Sequence, residues 1–251
     1  RMFLKEGKPI LEEAIQQAKE INVPVHTMIR LDRHVGRAIT TTARRQNVDL
    51  MLLGWPGEIS SGPRAFGSIM DLVAVSPPCD LAVIRFRKRR EPRRILVPTA
   101  GGTNARLVIS LAIDQARQFE ARTGEKPVVT LQYVCVPAEA CPEAQASGYE
   151  LLRSLASEHH YPFEVKVSPA DDIVDGIVKE SAHHDLVVIG ATAERLFEQA
   201  LFGTVPELVA QRAPVTVMMI KGYRGTVRSW LQRTVTRFFA LGERQRARSS
   251  G

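Results

Sequence analysis

The stretch Asp49-Leu-Met-Leu-Leu-Gly54 recurs 136 positions further along the chain as Asp185-Leu-Val-Val-Ile-Gly190. The same offset, with no gap, places Phe66-Gly67-Ser68 on Phe202-Gly203-Thr204. A match that keeps its spacing over about 30 positions indicates a repeated structural unit. The chain therefore contains two copies of one unit, and each copy helps to interpret the other.

The second copy alternates short apolar runs with helical patterns. Short apolar runs bounded by glycine or charged residues are typical of buried strands, and apolar residues spaced by three and four positions indicate helices. We expect the first helix to end at Gly124 and a later helix to be capped by Asp171 or Asp172. The predicted strands are Arg94 to Pro98, Val128 to Val136, Phe163 to Val167, Leu186 to Ile189 and Val215 to Ile220, with further helices around Tyr149 to Glu158 and Val205 to Gln211.

The first copy follows the same order but begins later in it. Nothing corresponds to the first strand, first helix and second strand of the second copy, so we expect those elements to need roughly 45 residues before Arg1. The predicted helices are Ile10 to Ile21, Val35 to Arg45 and Ser68 to Val75, and the predicted strands are Pro24 to Ile29, Leu50 to Leu53 and Leu81 to Phe86.

Strands that alternate with helices form βαβ units and a parallel sheet. The predicted fold is therefore α/β, with two doubly wound, flavodoxin-like (Rossmann-like) domains on five-stranded parallel sheets, the first of them truncated at its N-terminus. The predicted divisions are a first domain at 1–86, a basic linker at 87–93, a second, complete domain at 94–221 and a basic tail at 222–251.

Composition and charge limit the functional class. The chain has 251 residues, 44% of them hydrophobic, and no apolar run approaches the roughly 18–20 residues that a membrane helix needs. Its formal net charge of +7 lies in the tail, where Lys221 to Gly251 holds eight basic residues and one acidic residue. The remaining body is close to neutral, which argues against a nucleic-acid-binding face. Three scattered cysteines favour a reducing, cytoplasmic location.

A glycine-rich pattern follows the predicted strand at Leu50 to Leu53. Gly54 and Gly57 are separated by two residues, and Gly67-Ser68 follows nine residues later, at the start of a predicted helix. Glycines let a backbone approach a phosphate closely, and the N–H groups at a helix start attract anions. The carboxyl end of a parallel strand is also where α/β sheets bind ligands. The pattern matches neither the P-loop nor the dinucleotide fingerprint.

This pattern resembles the G-x2-G-x9-G-[ST] motif of nucleotide-binding members of the universal stress protein family. The first copy matches every motif position, whereas the second keeps Gly190, Gly203 and Thr204 but has Ala193 at the second glycine. The opening of the second copy, Ile95 to Gly102, resembles the family's first-strand signature but has Ala100 where that signature usually has an aspartate.

The resemblance implies the site and its ligand. Gly54, Gly57, Gly67 and Ser68 are expected to hold the ribose and phosphates of ATP or AMP, alone or with Mg²⁺, at the first copy. The second site is expected to be weak or empty, because Ala193 adds a methyl group and Ala100 removes a carboxylate. The family also pairs such units through their last strands, which predicts that Leu81 to Phe86 meets Val215 to Ile220 about a pseudo-two-fold axis.

Other candidate sites have weaker support. The pairs His159-His160 and His183-His184 favour solvated helix ends over a metal site, because adjacent helical residues point about 100° apart. Ser60, Ser61 and Ser68 lack a hydrolase pattern of histidine and aspartate, and Cys135 with Cys141 is a weak redox candidate. We therefore expect no catalytic or metal site.

The tail and the family together leave three functions open. Val227 to Leu241 has the spacing of a basic amphipathic helix, which suits an anionic membrane surface or a transporter, and also packing on its own domain. We favour a nucleotide-sensing regulatory module on the cytosolic side of a transporter such as an amino-acid permease or antiporter. The alternatives are a free-standing tandem stress protein and an interaction scaffold that binds no nucleotide.

Overall fold

A computed structural model describes residues 2–55, 68–87, 91–136, 142–192 and 204–223 of the chain. Seven helices and seven strands lie in these ranges. In chain order they are α1 (Met2–Glu20), α2 (Val35–Arg45), β1 (Leu50–Trp55), α3 (Ser68–Val75), β2 (Asp80–Arg85), β3 (Arg94–Pro98), α4 (Ala105–Thr123), β4 (Val128–Cys135), α5 (Pro142–Ser157), β5 (Phe163–Pro169), α6 (Ile173–Ser181), β6 (Leu186–Gly190), α7 (Thr204–Arg212) and β7 (Thr216–Lys221).

The strands form one seven-stranded sheet in the order β1-β2-β7-β6-β3-β4-β5. All neighbouring strands are parallel except β2 and β7, which are antiparallel. We call residues up to β2 unit one and residues from β3 to β7 unit two. Unit two alone has the strand order 3-2-1-4-5, which is the Rossmann order 3-2-1-4-5-6 without its sixth strand. The predicted α/β class and its mostly parallel, helix-alternating sheet are confirmed.

Unit two follows its sequence signals closely. Gly124 ends α4 in the left-handed conformation, with φ of 75°, which favours glycine. Asp172 is the cap of α6, and its carboxylate accepts hydrogen bonds from the backbone N–H groups of Val174 and Asp175. The two faces of the sheet are each covered, because buried residues form one apolar cluster on either side of it.

Unit one contributes only β1 and β2 to the sheet, and one predicted strand is wrong. Residues Pro24 to Ile29 are not a strand in the structure. The corresponding strand of unit two, β5, is paired along its length with β4. No strand of the described residues lies on the outer side of β1, so this segment has no neighbour to supply ladder hydrogen bonds. Leu52 of β1 is 60% exposed, whereas its repeat equivalent Val188 is buried against α4, a helix that has no counterpart among the described residues of unit one.

The two units join through β2 and β7 with internal symmetry. The repeat offset of 136 positions relates Val83 to Met219, and these two residues face each other in the antiparallel register. Leu81 pairs with Lys221, and Arg85 pairs with Val217, so the pairing is symmetric about that central pair. The junction is therefore isologous, as in a two-fold dimer, although both halves belong to one chain.

The helices of the described residues include none that is both long enough and apolar enough to cross a membrane.

Candidate functional site

The candidate site of unit two lies between the carboxyl ends of β3 and β6. Consecutive strands diverge from β3 to opposite sides of the sheet, which opens a crevice at this point. The loop after β3 is exposed and contains Ala100, and Gly101 adopts a φ of +76° that favours glycine. Thr99 Oγ1 accepts a hydrogen bond of 3.1 Å from the N–H of Gly101, which holds the turn.

Asn104 closes this crevice from the start of α4. Its Nδ2 donates to the carbonyl oxygen of Ala191 over 2.7 Å, and its Oδ1 accepts from the N–H of Gly222 over 3.1 Å. A Cβ on Gly190 would lie 3.2 Å from the Asn104 Cβ and 3.1 Å from Val108 Cγ2. Gly190 therefore makes room for α4, and the space beside it is occupied by protein.

Thr204 is the first residue of α7, the helix that follows the glycine loop of unit two. Its hydroxyl is buried and has no hydrogen-bond partner among the described residues. The start of a helix carries unpaired N–H groups and the positive end of the helix dipole, which both favour anions. Protein atoms cover this hydroxyl, so the expected contact with a phosphate would require the covering groups to move.

The candidate site of unit one contains the other copy of the glycine motif. Gly54 lies at the carboxyl end of β1, and none of the residues that the structure describes has an atom within 4 Å of the position that a Cβ would take there. Ser68 is the first residue of α3, as Thr204 is of α7. The structure thus places both ends of the first glycine motif at the carboxyl edge of the sheet. Gly57, Gly67, Ala193 and Gly203 lie outside the described residues.

Trp55, the residue after Gly54, is buried at the junction of the units. Arg85 pairs with it in the sheet, and the guanidinium carbon lies 5.0 Å from the centre of the indole ring. Arg85 also donates a hydrogen bond to the carbonyl oxygen of Ala210, in the last turn of α7. Lys221 Nζ makes the equivalent contact in the other direction, donating over 2.7 Å to the carbonyl oxygen of Ala74 in α3.

Sequence reasoning missed these contacting side chains. The offset of 136 positions relates Arg85 to Lys221 and Ala74 to Ala210, so the repeat contained the signal for the paired cations. The stacking of Arg85 on Trp55 has no counterpart in the second motif, where Ala191 follows Gly190. The neighbouring sequence gave no sign of the two hydrogen bonds of Asn104, because both are made to backbone groups that lie far away along the chain.

The prediction of solvated helix ends is wrong for His184, which is buried, whereas its neighbour His183 is exposed. His184 is buried, with Nδ1 3.0 Å from the carbonyl oxygen of Glu180 and Nε2 3.2 Å from Thr130 Oγ1. Burial lowers the pKa of His184 and outweighs the nearby Glu180 carboxylate, and burial likewise lowers the pKa of His159. The described residues include no cluster of three or more histidine, cysteine or acidic side chains arranged to hold a metal ion.

The remaining candidate site residues predicted from the sequence are the cysteines, two serines and the tail. Cys79 and Cys135 are both buried free thiols, and burial, reinforced by Asp80, raises the pKa of Cys79 to about 11. A thiol with a raised pKa is a poor nucleophile at neutral pH, because little of it is thiolate. Ser60, Ser61, Cys141 and the amphipathic segment Val227 to Leu241 lie outside the described residues.

Comparison with known proteins identifies the family. The model of the universal stress protein family matches residues 3–85 and again residues 91–221. The chain is 32% identical over 216 residues to the Na(+)/H(+) antiporter NhaS5 of Synechocystis sp., an alignment that covers 82% of this chain and 29% of the antiporter. The chain thus spans less than a third of the length of that curated relative.

Solved structures share the fold at low identity. A universal stress protein from Archaeoglobus fulgidus aligns with a TM-score of 0.59 at 16% identity, covering 88% of this chain and 77% of that chain. A putative universal stress protein from Pseudomonas aeruginosa aligns with a TM-score of 0.57 at 17% identity, covering 86% and 78%. The chain belongs to the universal stress protein family and carries two units of it in tandem.

Proposed function

We propose that this chain is a regulatory module that binds an adenine nucleotide, ATP or AMP, alone or with Mg²⁺, at the glycine motif of unit one. The observation that carries the proposal is the placement of that motif. Gly54 is the second-to-last residue of β1, and Ser68 begins α3 at the same edge of the sheet. Phosphates would lie against backbone N–H groups at the start of α3, where the helix dipole favours negative charge.

Unit two is the weaker site in this proposal. Ala100 supplies no carboxylate, and the Asn104 side chain occupies the space beside Gly190 with two hydrogen bonds of its own. A nucleotide would have to displace that side chain or bind around it. The hydroxyl of Thr204 is covered by protein, so a phosphate would reach it only if the covering groups moved, which also favours weak binding at unit two.

The role that we propose for this binding is regulatory. Binding that favours one arrangement of the two units would shift their equilibrium and alter what a partner contacts. The partner that we propose is a membrane transporter, with this chain on its cytosolic side. The identity with part of an Na(+)/H(+) antiporter supports this context. Val227 to Leu241 would then contact the membrane surface or the transporter.

Two glycine substitutions test the ligand site with matched steric cost. Gly54→Asp and Gly102→Asp each place a carboxylate at the edge of one unit, and a Cβ meets no atom within 4 Å at either position. We would titrate the 251-residue chain and both variants with ATP and AMP, with and without Mg²⁺, by calorimetry. Circular dichroism and thermal unfolding of each variant would check that the fold is retained.

Each outcome separates the three functional classes. Micromolar binding that Gly54→Asp abolishes and Gly102→Asp retains would support a single sensing site in unit one. The reverse pattern would place the site in unit two. Absence of binding at millimolar nucleotide would overturn the sensor and leave an interaction scaffold. Sequencing the coding region upstream of Arg1 would distinguish a transporter-linked chain from a free-standing tandem protein.

A further inference from the structure

Each unit holds the end of a helix that belongs to the other unit. Arg85, the last residue of β2, donates to the carbonyl oxygen of Ala210 in α7, and Lys221, the last residue of β7, donates to that of Ala74 in α3. The carbonyls of a last helical turn lack partners within the helix and carry the negative end of its dipole. A cation is therefore well placed at each of these ends.

The opposite end of each helix lies at a candidate ligand loop. The two helices have 8 and 9 residues, which makes each about 12–14 Å long. Because α3 begins at Ser68 and α7 begins at Thr204, one short rigid element connects each loop with a cation of the other unit. The two connections run in opposite directions across the junction of β2 and β7.

Arg85 makes a second contact, with Trp55, in addition to its hydrogen bond to α7. Its guanidinium also stacks on Trp55, which follows Gly54 directly in the first glycine motif. Trp55 is 3% exposed and Arg85 is 9% exposed, so both side chains are held in place by the packed junction. Lys221 has the equivalent hydrogen bond, but the residue equivalent to Trp55 in unit two is Ala191, which offers no ring.

We propose that Arg85 couples Trp55, at the carboxyl end of β1 in unit one, to α7 of unit two. A phosphate-bearing ligand that changes the position of Trp55 would change how firmly Arg85 holds the end of α7, and with it the helix start at Thr204. Coupling of this kind is reciprocal for binding free energies. The ligand in this inference rests on the proposed function, but the contact between Trp55, Arg85 and α7 does not.

A cycle of variants without ligand tests the connection itself. Hydrogen exchange of the α7 amides would be followed in the 251-residue chain, in Trp55→Phe, in Arg85→Met and in the double variant. Trp55→Phe keeps an aromatic ring but weakens its attraction for a cation, so we expect α7 exchange to rise about threefold. Arg85→Met should raise it about tenfold, and the double variant should match Arg85→Met alone.

Lys221→Met is the matched control for the loss of a cation at the junction. It should raise hydrogen exchange in α3 and leave exchange in α7 unchanged. In the double variant with Trp55→Phe, each substitution should keep the effect that it has alone. Arg85→Lys keeps a donor for Ala210 but replaces the planar guanidinium that stacks on the ring. It should therefore retain most of the protection of α7, and that protection should depend less on Trp55. Additive effects of Trp55→Phe and Arg85→Met on α7 exchange would overturn the proposal.

A second arm adds MgATP in the Gly102→Asp background, which disfavours binding at unit two. If calorimetry shows binding, α7 exchange should change by about threefold or more when Arg85 is present and stay constant in Arg85→Met. Binding without any change in α7 would overturn the coupling and leave the proposed function standing. If MgATP does not bind, the proposed function fails, and the ligand-free cycle alone decides whether the loop and the helix are coupled.

Discussion

The hydrogen bonds of Asn104 should stabilise unit two measurably, and one substitution removes both. Asn104→Ala leaves the carbonyl oxygen of Ala191 and the N–H of Gly222 without their present partner. Each bond contributes about 0.5–1.5 kcal/mol net, so the unfolding free energy should fall by about 1–3 kcal/mol. At about 2–4 °C per kcal/mol for a chain of this size, the melting temperature should fall by about 2–12 °C.

A second substitution makes this prediction specific to the geometry. A Cβ on Gly222 would lie 2.8 Å from Asn104 Oδ1, which is too close for either atom to stay in place. Gly222→Ala should therefore break the same hydrogen bond and cost about 1–2 kcal/mol. In the Asn104→Ala background the obstructing oxygen is gone, so Gly222→Ala should cost close to nothing. The two substitutions should thus be coupled by about 1–2 kcal/mol.

Denaturant unfolding followed by far-UV circular dichroism would give the unfolding free energy of the unsubstituted chain, of the two single variants and of the double variant. Gly102→Ala is the control, because a Cβ there meets no atom within 4 Å and its φ is not in the positive range. That substitution should be neutral or stabilise by a few tenths of a kcal/mol up to about 1 kcal/mol. An equal cost of Gly222→Ala in both backgrounds would refute the assignment of Asn104 as the bridge between these two backbone groups.

Two further predictions concern ligand affinity and pH. Ala100→Asp would be made in the Gly54→Asp background, so that any measured binding comes from unit two. It should strengthen nucleotide binding by about 5- to 150-fold, equivalent to about 1–3 kcal/mol. An unchanged affinity in calorimetry would contradict the role assigned to Ala100. For His184, burial holds the folded pKa below the unfolded value of about 6.5, so the unfolded chain binds the proton first as pH falls. The unfolding free energy of the unsubstituted chain should therefore decrease as pH falls below about 6.5, and it should decrease less steeply in His184→Gln. The control is His183→Gln, because His183 is exposed. Equal slopes in the unsubstituted chain and both variants would contradict the prediction.

Local sequence signals were sufficient for most of the secondary structure. The predicted bounds of α2, α3 and β3 coincide with the observed ones, and Gly124 ends α4 as expected. These elements depend on their own apolar spacing and caps, so short-range patterns define them. The helix predicted around Tyr149 to Glu158 begins earlier, at Pro142, because its first turns lack a regular apolar pattern.

The candidate site was predictable only in part. The glycine pattern and its place after a strand located Gly54, Ser68, Gly190 and Thr204 at the carboxyl edge of the sheet. It could not tell that Asn104 fills the space beside Gly190. That contact depends on a distant element that packs there, and a glycine has the same sequence signature whether or not its neighbourhood is filled.

The sequence by itself established the repeat, the order of strands and helices, and the family motif with its departures at Ala100 and Ala193, because each is a matter of residue identity and spacing. Only the tertiary structure decided that Pro24 to Ile29 is no strand, since a strand needs hydrogen bonds from a neighbour that local sequence does not supply. Only the tertiary structure, likewise, brought Arg85 onto Trp55 and Ala210, because these groups lie far apart along the chain and meet through the symmetric pairing of β2 with β7.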